Sequence, residues 1–148
     1  MVVIAGCIIV KDNKILMVKE AKKKYYGQWN FPAGKVYEFE KITDAAIRET
    51  FEETGCKVKL TGVLPIVSLD LKENTHVIVK FTADIVEESI KFDEQEILDV
   101  QWIDIERIKN MTKEELRGYE IGINTIKDLE ENKIFSLEIF DNTKYIEK

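Results

Sequence analysis

The apolar positions of the chain fall into short blocks whose period changes along its length. "VVIAGCIIV" (2–10) and "KILMVKE" (14–20) read as two strands joined by a turn at Asp12-Asn13. "KKKYYGQWNFPAGK" (22–35) is polar and aromatic, and Gly27, Pro32 and Gly34 break it into a loop. "ITDAAIRETFEETG" (42–55) has helical spacing and ends on Gly55, the usual residue just past a helix C-terminus. "KVKLTGVLPIVSLDL" (57–71) and "THVIVKFTADIVEE" (75–88) predict two long strands joined by a hairpin at Lys72–Asn74. "DVQWIDI" (99–105) predicts a short strand. "TKEEL" spells a capping box from Thr112 to Glu115 that opens a C-terminal helical region, with Ile121, Ile126 and Leu129 turned to the core. "IFSLEIF" (134–140) predicts a last short strand. With no repeat and no linker, the order predicts one α/β domain over residues 1–148 with a mixed or largely antiparallel sheet.

Composition narrows the class. The chain has 148 residues, 45% hydrophobic and 34% charged, enough for a real core. Its longest apolar run is too short to span a membrane. The N-terminus lacks a basic start and a small-residue cleavage site, so it reads as a first strand and not as a signal peptide. Cys7 and Cys56 sit in apolar surroundings without a CxxC, as expected of reduced core thiols in a cytoplasmic protein. The single histidine, His76, reads as an ordinary strand residue. A net charge of −6 argues against a nucleic-acid-coating surface and would repel a polyphosphate unless cations intervene.

That charge makes one segment notable. Each helical residue advances about 100°, so Glu49, Glu52 and Glu53 share a face with Ile42, Ala45 and Ala46, while Ile47 and Phe51 point the other way. Glutamates also cluster on solvated helices. Here, however, they stand beside small residues that leave room next to the helix. Carboxylates this close repel one another, and a hard divalent cation with oxygen ligands, Mg²⁺ above all, removes that repulsion and bridges carboxylates to phosphates.

The spacing is longer than the cluster. Gly34, Glu40, Arg48-Glu49, Glu52-Glu53 and Gly55 reproduce the Nudix box, a match expected by chance on the order of once in 10⁶. "QWNFPAGKV" resembles the family's lead-in to the box, and the likeness continues from "AGCIIVKDNKILMVKE" to "EILDVQWIDIERI". The chain departs from the pattern at Ala33 and Phe39, where the family usually has Gly, and at Thr50 and Cys56, where it has bulky aliphatic residues.

The resemblance implies an α/β/α sandwich and hydrolysis of a nucleoside diphosphate linked to another group, with Mg²⁺, or Mn²⁺ in its place. It implies Glu49, Glu52 and Glu53 as metal ligands, with the Ala33 carbonyl joining them. Arg48 would orient the carboxylates, Glu49 in particular, and Glu40 would help hold Arg48. A distal acid is expected on the loop before Trp102: Glu96, with Glu94 in reserve. Lys35, Tyr26 and Trp29 are candidates to meet phosphate and base. The expected partner is a small nucleotide or pyrophosphate, for a monomer or homodimer. The lead-in and C-terminal region also resemble small Nudix phosphatases acting on nucleoside tri- and diphosphates and thiamine-type pyrophosphates. A catalytically silent Nudix-fold sensor is the alternative from another class.

Overall fold

The structure, a computed structural model, describes residues 1–143 and 145; the remaining C-terminal positions of the expected 1–148 domain lie outside the described residues. Its elements are β1 (Val2–Lys11), β2 (Lys14–Glu20), β3 (Trp29–Asn30), β4 (Ala33–Lys35), α1 (Ile42–Thr54), β5 (Lys57–Val63), β6 (Val67–Leu71), β7 (Asn74–Glu87), β8 (Ile97–Asp104), α2 (Ile105–Lys109) and α3 (Tyr119–Glu130). The strands form one mixed sheet. β1 runs parallel to β7 and antiparallel to β4, and its far end turns into β2 through Asp12 and Asn13, both at positive φ. β8 and β3 pair antiparallel with β2, and β5 and β6 pair antiparallel with successive lengths of β7.

Alternation along the strands divides the core between the two faces. Cys7, Ile9, Leu16, Val18, Val79, Phe81 and Ile97 pack with Ala45 and Ala46 under α1. Ile8, Ile15, Met17 and Leu64 pack with Ile105, Ile108 and Ile126 under α2 and α3. Helices therefore cover both faces, as an α/β/α sandwich requires. Both cysteines are free and buried.

Four sequence expectations are corrected. The long strand over 57–71 is two strands, because Pro65 lacks an N–H to continue the ladder and the chain bends through Leu64–Ile66. The 22–35 loop contains β3 and β4. The Thr112–Glu115 box forms a turn and not a helix start: the Thr112 N–H donates to Glu115 Oε1 at 3.1 Å, but α3 begins only at Tyr119. Residues 134–140 form no strand; Phe135 bridges Val63, and a 3₁₀ turn follows at Leu137–Ile139. In addition, β8 begins two residues early, and α2 carries no capping side chain that could have announced it.

The α3 side of the sheet buries one charge. Lys80 on β7 is 6% exposed, and loss of solvation lowers its pKa from 10.5 to about 8, with the Asp128 charge opposing the fall. Below about pH 8 the ammonium is charged in both folded and unfolded chains, and burying it costs stability. Between about 8 and 10.5 the unfolded chain binds the extra proton, so this penalty is relieved as pH rises. The gap corresponds to at most about 3 kcal/mol. Urea midpoints should therefore climb from pH 7 to 10 for the wild type relative to Lys80→Met, whose own curve lacks this component. Parallel curves for the two proteins would rule the account out.

Candidate active site

α1 lies close to the sheet because its inward positions are small. Ala45, Ala46, Thr50 and Thr54 are buried, while Ile47 and Phe51 face solvent. Thr50, at a position where the family prefers a bulky aliphatic residue, donates its hydroxyl to the Ala46 carbonyl at 2.8 Å, and Thr54 donates to the Thr50 carbonyl at 2.7 Å. Gly55 closes the helix at φ 82, a left-handed conformation that favours glycine.

Arg48 collects the acids around this helix. Its Nε and Nη2 donate to the two oxygens of Glu40 at 2.7 and 2.9 Å. Nη1 donates to Glu49 at 2.8 Å and to Glu52 at 3.2 Å. Nη2 also donates to the Lys35 carbonyl at 3.0 Å, and the guanidinium stacks 3.8 Å from the centre of the Tyr37 ring. The bond to Arg48 holds the Glu40 carboxyl below its ordinary pKa, and the same contacts raise that of Arg48.

The three glutamates that the box places on α1 occupy different environments. The Glu52 side chain is 51% exposed. Glu49 lies against the backbone of Gly34 so closely that a Cβ there would sit 2.1 Å from its carboxyl carbon. Burial raises its pKa against the opposing pull of Arg48. Glu53 accepts the Ala33 N–H at 2.8 Å. Burial pushes its pKa up to about 8; the Ala33 bond opposes this, and the charges of Glu20 and Glu49 add to it. Lys22 favours the ionised forms of both Glu49 and Glu53.

The other candidates are less concentrated. The Glu96 side chain is exposed and meets Lys22 at 3.9 Å, so the lysine whose charge reaches Glu49 and Glu53 also touches the expected distal acid. Glu94 is exposed. Lys35 contributes its carbonyl to Arg48 while its side chain is exposed. Trp29 is partly buried against the α3-side core, with the Lys19 ammonium 5.6 Å from its ring centre; Tyr26 is 66% exposed. The Tyr37 stack and the buried Glu20 were not anticipated. Glu20 did leave a signal, as a charge at an inward position of an apolar strand.

Among the described residues no three acid, histidine or cysteine side chains already converge as a metal-ligand set. The donor chemistry nevertheless fits a divalent cation. Glu53 and Glu49 are half-buried carboxylates beside one another's charge, Glu20 has a buried oxygen without a partner, and all are hard oxygen donors.

The Gly34 contact has a direct test. Gly34→Ala should push the movable Glu49 carboxyl aside, costing about 1 kcal/mol of stability, the low end for an added methyl group, because only the end of a side chain moves. The Arg48–Glu49 coupling, about 1 kcal/mol in a double-mutant cycle of unfolding, should then fall to near zero in the Gly34→Ala background. Unchanged coupling would show that the close approach does not position the glutamate.

A NUDIX hydrolase from Nitrosomonas europaea has a structure that matches with a TM-score of 0.86 at 25% identity, over 96% of this chain and 97% of that one. An 8-oxo-dGDP phosphatase of Danio rerio, NUDT18, is 36% identical over 60% of this chain and 30% of its own length. An ADP-ribose pyrophosphatase of Methanocaldococcus jannaschii is 36% identical over 57% of this chain and 51% of its own. The chain thus spans between about a third and a half of these curated relatives. The family model described as the NUDIX domain matches residues 2–131, and the chain belongs to that family.

Proposed function

We propose that the protein is a divalent-metal-dependent hydrolase of a phosphate anhydride in a nucleoside di- or triphosphate or a related nucleoside diphosphate-linked compound. The observation that carries this reading is the placement of Glu49 and Glu53, two half-buried carboxylates on one helix, against the backbone of Ala33–Gly34. The names of the relatives, an 8-oxo-dGDP phosphatase and an ADP-ribose pyrophosphatase, point to the same class of bond.

Glu49, Glu52 and Glu53 would hold Mg²⁺ or Mn²⁺, with the Ala33 carbonyl beside them. The bound ion supplies charge neutralisation at the phosphate oxygens and lowers the pKa of water. Arg48 orients Glu49 through the bond at 2.8 Å and is itself fixed by Glu40. A carboxylate accepts the proton of the attacking water; Glu49 is one candidate base and Glu96 supplies the distal acid. Lys22 and Lys35 offer charge to the substrate's remaining phosphates, and Tyr26 and Trp29 offer aromatic faces to its base. Reduced, buried cysteines suit a cytoplasmic setting, and no helix among the described residues is long and apolar enough to cross a membrane.

The experiment is phosphate and pyrophosphate release from a panel containing nucleoside di- and triphosphates, oxidised nucleotides, ADP-ribose and thiamine-type pyrophosphates, with Mg²⁺ or Mn²⁺. Turnover is expected for at least one compound. Tight ligand binding without turnover of any would favour the sensor alternative. Glu53→Gln keeps the shape and removes the charge, so it should lower turnover on the order of 100-fold while remaining folded. Normal activity at low Mg²⁺ would sink the ligand assignment.

The distal acid is tested separately. Glu96→Gln should reduce kcat by about 100-fold and change KM much less, because a proton acceptor or late ligand acts mainly in the transition state. An effect of Glu94→Gln in its place moves the role to that residue. Full activity in both variants confines the chemistry to the box helix.

A further inference from the structure

The row Leu16, Val18, Glu20 occupies one face of β2. The register pairs Leu16 with Trp102, Val18 with Val100 and Glu20 with Ile97, and all of these partners pack on the α1 side of the sheet. The irregularity between Lys19 and Glu20 is absorbed on β8, so Glu20 stays on that face. A carboxylate thus ends a row of core side chains, 3% exposed, on the side that carries Glu49 and Glu53.

Its two oxygens are treated differently. Oε1 accepts from Arg117 Nη1 at 3.1 Å. Oε2 is buried and has no hydrogen-bond partner. Arg117 could have satisfied both oxygens with its planar fork, but its guanidinium lies on the Tyr25 ring, 3.7 Å from the centre. The backbone fixes the residue from both sides: the Glu20 N–H donates to the Gln28 carbonyl, the Glu20 carbonyl accepts from the Gly27 N–H, and the next N–H, of Ala21, donates to the Glu96 carbonyl. Glu20 therefore sits where β2 meets the Glu96 segment, with a free oxygen that the protein leaves unsatisfied. Native structures seldom bury such an oxygen without an ion, a water or a chemical role. Its charge also reaches Glu53.

We infer that Glu20 is a further carboxylate of the metal-binding site, lying outside the box: Arg117 holds Oε1 and leaves Oε2 to a divalent cation shared with Glu53, directly or through a water on that cation. This rests on the metal-dependent reading above. The competing role, an anchor for Arg117 and nothing more, makes a different prediction. An anchor fails alike when either partner is removed. A ligand does not, because removing Glu20 takes an anion from the cation and removing Arg117 takes away a competing positive charge.

The test is Mn²⁺ binding to the intact protein, followed by isothermal titration calorimetry and by the loss of the free-ion paramagnetic resonance signal. Glu20→Gln should weaken Mn²⁺ binding at least 10-fold, while Arg117→Gln should leave it unchanged or tighten it. Wild-type affinity in Glu20→Gln, or equal weakening in both variants, overturns the inference. If Glu20→Gln does not fold, Glu20→Asp keeps the charge and withdraws it by one methylene; the same weakening is expected, and wild-type affinity overturns the inference. Glu53→Gln separates the two readings. Loss of binding there with retention in Glu20→Gln rejects only the role of Glu20, whereas absence of Mn²⁺ binding by the wild-type protein rejects the metal reading as well.

Discussion

The guanidinium of Arg48 is the point at which the loop, the helix and the acids are tied together. Without it, Glu40, Glu49 and Glu52 would face one another across a few ångströms with only solvent between them. A lysine could not replace it, because a point charge cannot grip Glu40 with two nitrogens, reach Glu49 and Glu52 with a third and lie flat on Tyr37. The same contacts explain a local strain. Phe39 takes φ 63 with its side chain fully exposed, a conformation costing a non-glycine residue about 1 kcal/mol or more. The side chain offers no burial in return. The turn persists because it brings Glu40 onto Arg48, so the loop keeps the shape that the family's usual glycine would take without cost.

Placement on one helix face gave Glu49, Glu52 and Glu53 similar geometry but not similar chemistry. Glu52 stands at the solvent edge, Glu49 is pressed on Gly34, and Glu53 is recessed onto the Ala33 N–H. This gradient follows from how closely α1 approaches the sheet, and that approach depends on Ala45, Ala46 and the self-bonded threonines beneath the helix. A larger residue at either alanine would lift the helix and return the recessed carboxylates to water. The packing of the core and the charge state of the site are therefore set by the same side chains.

Much of this was legible in the sequence, and the exceptions share a cause. The helix over 42–55, its end at Gly55 and the strands β1, β2 and β7 rest on periodicity and breakers, which are local. The interruption at Pro65 was also local, but the apolar pattern on either side of it masked the break. The other misses depend on partners far along the chain. The Thr112–Glu115 box is satisfied as a turn because Glu115 also pairs with Arg107 and its carbonyl receives the Trp29 N–H. β3 and β4 are too short to show a period and exist because β2 and β1 offer them edges. The box spacing named the acids of one helix, and it could say nothing of Tyr37 stacking on Arg48.

Glu20 shows how a residue outside a linear motif can still be found. A motif records spacing within one segment, so it cannot contain an acid delivered by another strand. A strand pattern records which face each residue occupies, and a charge on an inward position conflicts with that pattern. Such a conflict requires a partner, and the structure supplies only half of one: Arg117 for one oxygen and nothing for the other. Lys80 makes the useful contrast. It is also a charge on an inward strand position, but it lies on the opposite face from Val79 and Phe81, within reach of Asp128 on α3, and it accommodates burial by a lowered pKa. The two buried charges thus differ in what surrounds them. Lys80 can lose its proton and become a neutral core residue, whereas Glu20 has a guanidinium on one oxygen, nothing on the other and further carboxylates on its side of the sheet, an arrangement that a cation completes.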